Sequence, residues 1–312
     1  SEQLKAGGSS TVYPVTSKAA SVWNSNPPAD DEEYWGPSNY GIDTDERLAN
    51  YWAGEYDFET DGSTPPFKVN VGLSHSGTGL EKLKNGLVDI GNASASVDAE
   101  LPDLSEEERE KYTNHVVGVD AQPIVLSKEI AEAGVEQLTA EQVRQIYTGE
   151  ITNWSEIPSY KGEDKEIQAV GRAEGSGTDT AFRVNMLGGP DAEMGGVDVR
   201  KGQNQQVKTI VSRSNNAIAY MALAFVTDEV ASIALEFDGT VYEPGKNLAD
   251  QNYPLSRDLH CYTYDGTSKQ EAAYLRMIIS EFGQENFVKP SGYAMLTQER
   301  RENQIEKLSD AK

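Results

Sequence analysis

Three short stretches of the chain carry the residue types that hold an oxyanion: Gly7 to Thr11, Ser74 to Gly79 and Gly171 to Thr178. Each is a run rich in Gly, Ser and Thr set between a strand-like apolar segment and a helix-like amphipathic one. A helix N-terminus leaves amides without intrahelical acceptors and carries about half a positive charge, glycine lets an anion approach the backbone, and hydroxyls add donors. One such loop reads as an ordinary helix cap. Three in one chain, with an arginine inside the third, read as a convergent anion site. Arg172 stands at the strand end, just before Gly175-Ser176-Gly177-Thr178, so its fork is placed to meet the oxygens those amides address. Glu174 is placed to steady that guanidinium. The competing reading of Arg172, a surface ion pair worth little, is weaker because the other ten arginines lie in no comparable loop.

Other chemistries find less support. A Walker A loop needs Lys after its last Gly, which Gly171 to Thr178 lacks, and a nucleophile elbow needs G-x-S-x-G, whereas Gly72-Leu73-Ser74-His75-Ser76 ends in Ser. A Ser/His hydrolase through His75 or His115 stays open as an alternative, against the plainer reading of a loop histidine. His75, His115 and His260 lie far apart, Cys261 is the single cysteine, and the acidic runs have no EF-hand spacing. No metal site, no cofactor, no intrachain disulfide and no catalytic residue is expected.

The elements that must position these loops follow from periodicity. Leu4 to Gly8 reads as a strand, and after Pro14 the residues Val15, Ala19, Val22 and Trp23 give a helical stripe. Phe67 to Leu73 alternates like a strand, Leu80, Leu83 and Leu87 give the next stripe, Val88 to Gly91 is a short strand and Asn92 to Ser96 a polar loop. Val116 to Ser127, Glu166 to Val170, Ala217 to Leu223 and Leu259 to Tyr264 are strand-like, and Phe182 and Met186 mark a helix after the third loop. Thr139-Ala140-Glu141-Gln142 and Ser268 to Glu271 are capping boxes. Asn24 to Gly62 and Leu187 to Gly202, rich in Gly, Pro, Asp and Asn, read as surface excursions. Strands alternating with helices predict α/β architecture.

Composition narrows the partners. The 312 residues carry 27 Lys plus Arg against 51 Asp plus Glu, a net charge of −24, which excludes nucleic-acid binding through a global positive field. The length suits two domains. The longest apolar run, Ala217 to Val226, is far short of the roughly 20 residues that cross a bilayer. A chain that begins without a charged, then apolar leader is expected to be either cytoplasmic or a mature exported protein. Carboxylates spread over the whole length repel one another, and near 1 M salt a screening length of about 3 Å removes most of that cost. This reads as adaptation to a salty environment, with ordinary solubility tuning as the alternative.

Six motifs then occur in order: Gly8-Ser9-Ser10-Thr11-Val12-Tyr13-Pro14, Ser76-Gly77-Thr78-Gly79, Val88-Asp89-Ile90-Gly91-Asn92-Ala93-Ser94, Ile146 to Trp154, Arg172 to Thr178 and Tyr253-Pro254-Leu255-Ser256-Arg257. From about residue 4 to about residue 290 the chain resembles the substrate-binding protein of the high-affinity phosphate ABC transporter. The resemblance implies an α/β, two-lobed type II periplasmic-binding-protein fold with inorganic phosphate in the cleft between lobes. It places lobe I at 1–118 plus 255–312 and lobe II at 119–254. It implies a phosphate set of Ser10, Thr11, Ser76, Arg172, Ser176, Gly177 and Thr178, with Glu174 orienting the arginine. Where many members carry an aspartate that accepts the phosphate proton, this chain has Ser94, and Asp120 is a candidate replacement. The implied protein is a monomeric receptor, not an enzyme. It would sit at the extracellular face or in the periplasm on a lipidated N-terminus and deliver phosphate to a membrane permease. A receptor for another oxyanion such as sulfate, or a phosphate-ester hydrolase reusing the anion site, are the alternatives.

Overall fold

The computed structural model describes residues 3–245 and 247–312. The chain divides into two compact units, Ser1–Val119 with Asp258–Lys312, and Asp120–Arg257.

Unit 1 opens with β1 (Gln3–Ser9) and α1 (Tyr13–Ser25), where Pro14 supplies a fixed φ in the first turn and Val15, Ala19 and Trp23 are buried. The chain continues through α2 (Leu48–Gly54), β2 (Lys68–Ser74), α3 (Ser76–Lys84), β3 (Ile90–Ala93), the short helices α4 (Val97–Glu100) and α5 (Glu106–Glu110), and β4 (Tyr112–Ala121). β1 pairs in parallel with both β2 and β3, Ser9 opposite Ser74 and Gly8 opposite Asn92. The loops that leave these three strands therefore emerge at one sheet edge, the carboxyl edge where α/β proteins place ligands. Close packing depends on two glycines: a Cβ on Gly79 of α3 would lie 2.7 Å from Gly8 Cα on β1, and one on Gly8, at φ +138°, would run into Asn92 O on β3.

Unit 2 contains β5 (Ile124–Leu126), α6 (Lys128–Glu132), β6 (Gln137–Thr139), α7 (Ala140–Thr148), β7 (Gln168–Arg172), α8 (Gly177–Leu187), β8 (Val197–Lys201), α9 (Asn204–Arg213) and β9 (Ala217–Tyr220), then β10 (Ala231–Ser232), β11 (Ala234–Phe237) and β12 (Thr240–Tyr242). Its main sheet has the order β10-β5-β9-β7-β8, and β12-β11-β6 form a second one. β7 runs parallel to β8 and β9, so Arg172, Lys201 and Tyr220 all stand at one edge. Val125, Val170, Val207, Val211 and Ala219 build the core beneath them. β13 (Ser256–Tyr264) returns the chain to the unit 1 sheet, of order β2-β1-β3-β13-β4, and α10 (Lys269–Ile279), α11 (Glu281–Gly283) and α12 (Gln298–Lys307) finish it.

Both capping boxes form where the sequence places them, at Thr139 with Gln142 and Ser268 with Glu271. Three expectations need correction. The segment 24–62 is no surface excursion: Trp35, Leu48, Ala49 and Trp52 are buried, Trp35 stands edge-on to Phe282 at 4.9 Å, and Asn26 donates to Asn50 Oδ1 at 2.8 Å. The segment 187–202 contributes β8 to the main sheet of unit 2. Leu87 is 63% exposed, because α3 stops at Lys84 and Gly86, at φ +71°, turns the chain away.

Candidate anion site

In unit 1 the parallel register gathers the hydroxyls. Ser9, Ser10, Thr11, Ser76 and Ser94 are all buried. Ser94 sits in the middle of a hydroxyl trio, its Oγ receiving a bond from Ser9 Oγ at 3.2 Å and lying 3.3 Å from Ser76 Oγ, while its amide donates to Ser76 Oγ at 3.0 Å. Ser9 Oγ also accepts the Thr11 amide at 3.1 Å, and Tyr293 donates from its hydroxyl to Thr11 O at 2.6 Å. Ser76 is the first residue of α3, a helix of nine residues. Sequence reasoning names Ser10, Thr11, Ser76 and Ser94 and misses Ser9. Its signal was present, since it lies in the same Gly8-to-Thr11 run.

In unit 2 the third loop is built around a buried guanidinium. Arg172 is 2% exposed, and its three nitrogens donate from Nε to Lys201 O at 3.1 Å, from Nη1 to Asn204 Oδ1 at 2.9 Å and from Nη2 to Gly202 O at 2.7 Å. Those acceptors lie at the end of β8, the strand beside β7, and just beyond it, so the parallel pairing itself supplies the cradle. Burial, and secondarily the like charge of Arg257, lower the Arg172 pKa to about 10, which keeps it cationic at neutral pH. Ser176 caps α8 without using its side chain, and its Oγ is buried with no hydrogen-bond partner. Gly177 and Thr178 form the first turn of this eleven-residue helix, whose leading amides have no acceptor within the helix.

Two residues expected beside the phosphate take other roles. Glu174 is exposed and does not touch Arg172; the orienting work falls to Asn204 and to the carbonyls of Lys201 and Gly202, because the guanidinium turns inward toward β8. Asp120, expected as a proton acceptor, instead grips Arg257: its Oδ2 accepts from Arg257 Nε at 3.0 Å and Nη2 at 2.9 Å, and its Oδ1 accepts the Leu223 amide at 3.1 Å. Burial raises the Asp120 pKa, opposed by Arg257. Arg257 also donates from Nη2 to Thr178 Oγ1 at 3.1 Å, and Gln122 Nε2 donates to Thr178 O at 2.6 Å. Asn204, Gln122 and the contacts of Arg257 were all missed, although Arg257 closes the Tyr253-to-Arg257 motif.

Among the described residues no group of three His, Cys, Asp or Glu is placed to hold a metal, and no helix is long and apolar enough to cross a membrane. What each unit presents is a set of hydrogen-bond donors at the carboxyl ends of parallel strands, with one cationic fork in unit 2. That is the make-up of an anion-binding protein of the two-unit α/β class. The PBP superfamily domain matches residues 43–282, and the chain belongs to that superfamily. It is 31% identical over 236 residues to the phosphate-binding protein PstS of Bacillus subtilis, covering 75% of this chain and 73% of the relative, and belongs to the same family. The phosphate-binding protein PstS of a Staphylococcus epidermidis strain is 25% identical over 276 residues, 85% of this chain and 79% of that one. Among solved structures, a protein from Clostridium perfringens with bound phosphate, described as a phosphate ABC transporter substrate-binding protein, superposes with a TM-score of 0.70 at 22% identity over 95% of this chain and 100% of its own. An ABC-type phosphate transport receptor from Vibrio cholerae gives 0.58 at 23%, over 94% and 100%. At these identities the structures establish a shared fold.

Proposed function

We propose that this chain is a receptor that captures inorganic phosphate outside the cytoplasmic membrane and delivers it to an ABC importer. The observation that carries the reading is the Arg172 guanidinium, buried and held by three acceptors beside the start of α8, next to a capping serine whose hydroxyl is unspent. The relatives that bind phosphate point the same way. The donors proposed for phosphate are Ser10, Thr11, Ser76 and Ser94 in unit 1 and Arg172, Ser176, Gly177 and Thr178 in unit 2. Charge-assisted hydrogen bonds contribute roughly 1.5–3 kcal/mol each, so a handful offsets the desolvation of the ion. The net charge of −24 does not oppose this, because distant carboxylates are screened within about a Debye length while the donors act at contact.

The reading makes the protein a binding receptor and not an enzyme, tethered by a lipidated N-terminus, monomeric, and suited to high salt. Calorimetric titration with phosphate tests its centre: Arg172→Ala weakens binding about tenfold or more, and a change below about threefold, roughly 0.7 kcal/mol, overturns the site. Sulfate is expected to compete poorly, and equal affinity for the two ions refutes that selectivity. A melting temperature that does not rise between dilute and molar KCl removes the high-salt reading.

A further inference from the structure

The contacts of Thr178 go further than the binding set just proposed. Its side-chain oxygen accepts a hydrogen bond from Arg257 Nη2 at 3.1 Å, and its carbonyl accepts one from Gln122 Nε2 at 2.6 Å. Arg257 is itself pinned by Asp120, which holds it through two nitrogens, and the pair is almost wholly buried. Asp120 and Arg257 are the first and last residues of unit 2, and the segments that carry them are tied by Gln122 N donating to Leu255 O at 2.9 Å and Tyr253 OH donating to Gln122 O at 3.1 Å. A buried ion pair is held at a desolvation cost that an apolar pair of the same size would avoid. Here it ends on one hydroxyl, at the first turn of the helix that addresses the anion.

A threonine hydroxyl both donates and accepts. Once a guanidinium donates into its oxygen, the hydroxyl proton points away from that cation, and the polarised O–H becomes a better donor. We propose that Arg257, fixed by Asp120, is a positioning residue that commits the Thr178 hydroxyl to donating toward a bare oxygen of the bound anion. The inference rests on the phosphate reading of this loop and adds to it a residue that acts on the ligand through Thr178. The selective consequence is that the Thr178 side of the site favours an unprotonated oxygen, which leaves the phosphate proton to be received elsewhere.

A double-mutant cycle on the full chain tests this, with inorganic phosphate as the titrant. The variant D120N/R257Q removes both charges and leaves no buried ion unpaired. It is expected to weaken phosphate binding about tenfold when Thr178 is present, and less than twofold when T178V has removed the hydroxyl. Equal losses in the two backgrounds would show that Arg257 merely supports the fold, and an affinity within threefold of the parent would show that it does nothing for binding; either result overturns the proposal. Should D120N/R257Q fail to fold by circular dichroism, R257K carries the same cycle, since one ammonium lacks the fork that spans Asp120 and Thr178. If the parent chain binds no phosphate, or R172Q binds as tightly as the parent, the fault lies with the phosphate reading. Loss in R172Q with additive behaviour at Arg257 isolates the failure to this inference.

Discussion

Asn204 holds Arg172 with the same oxygen that secures the end of β9: its Oδ1 accepts Arg172 Nη1 at 2.9 Å and the Ala222 amide at 3.1 Å. The side chain is fully buried at the start of α9. Asn204→Ala leaves the guanidinium one partner short and strands a buried amide, so the cost divides between binding and folding. Stability is expected to fall by about 1–3 kcal/mol and phosphate affinity by about tenfold, less than for Arg172→Ala. Denaturant titration and calorimetry on the same sample separate the two.

The relation between Arg172 and Asn204 also shows where sequence reading stops. The strand, small-residue loop and helix that carry Arg172 to Thr178 were legible because propensity, capping and glycine placement are local. The same holds for the boxes at Thr139 and Ser268. Asn204 lies 32 positions from Arg172, and Arg257 lies 137 from Asp120. Nothing local marks either pair; they meet only because β7, β8 and β9 pair in parallel and because the chain enters and leaves unit 2 at neighbouring places within it. Glu174 misled for the same reason, since adjacency in sequence suggested a partner that the inward turn of the guanidinium rules out.

Ser176 offers a cleaner separation of binding from folding. Its Oγ is buried, makes no hydrogen bond and does not cap α8. Loss of a group that already lacks a partner removes a desolvation penalty, so Ser176→Ala should unfold at the same or a slightly higher denaturant concentration. If the hydroxyl is reserved for the ligand, phosphate affinity drops about three- to tenfold, in keeping with about 1 kcal/mol for a typical hydrogen bond. Lower stability with intact affinity would assign the hydroxyl a structural role.

Trp35 tests the reassignment of residues 24–62 from surface to core. Turn residues dominate that stretch and conceal its anchors: Trp35 is 1% exposed, contacts Phe282, Tyr51 and Trp52, and donates from Nε1 to Glu46 O at 2.9 Å. Trp35→Ala is expected to destabilise unit 1 by about 3–5 kcal/mol, the usual cost of excising a buried large aromatic. A loss below about 1 kcal/mol in urea unfolding followed by circular dichroism would return the segment to the surface class.

His115 sets part of the acid limit of the fold. It lies on β4 with no exposure and its Nε2 is 3.0 Å from Thr263 Oγ1 on β13, so it joins two strands of the unit 1 sheet. Burial first, and the Lys307 charge second, lower its pKa from 6.5 to about 4. Because the folded value lies below the unfolded one, the unfolded chain binds the extra proton between those limits. The stabilisation is fully present above pH 6.5 and is lost as pH falls toward 4, about 3 kcal/mol in all. His115→Gln keeps a polar partner for Thr263 without a titrating ring, so the variant should lose less stability than the parent across that window. Urea midpoints measured from pH 7 to 4 decide it: parallel curves for the two chains would mean that His115 titrates alike in the folded and unfolded chains, and that burial does not hold it neutral.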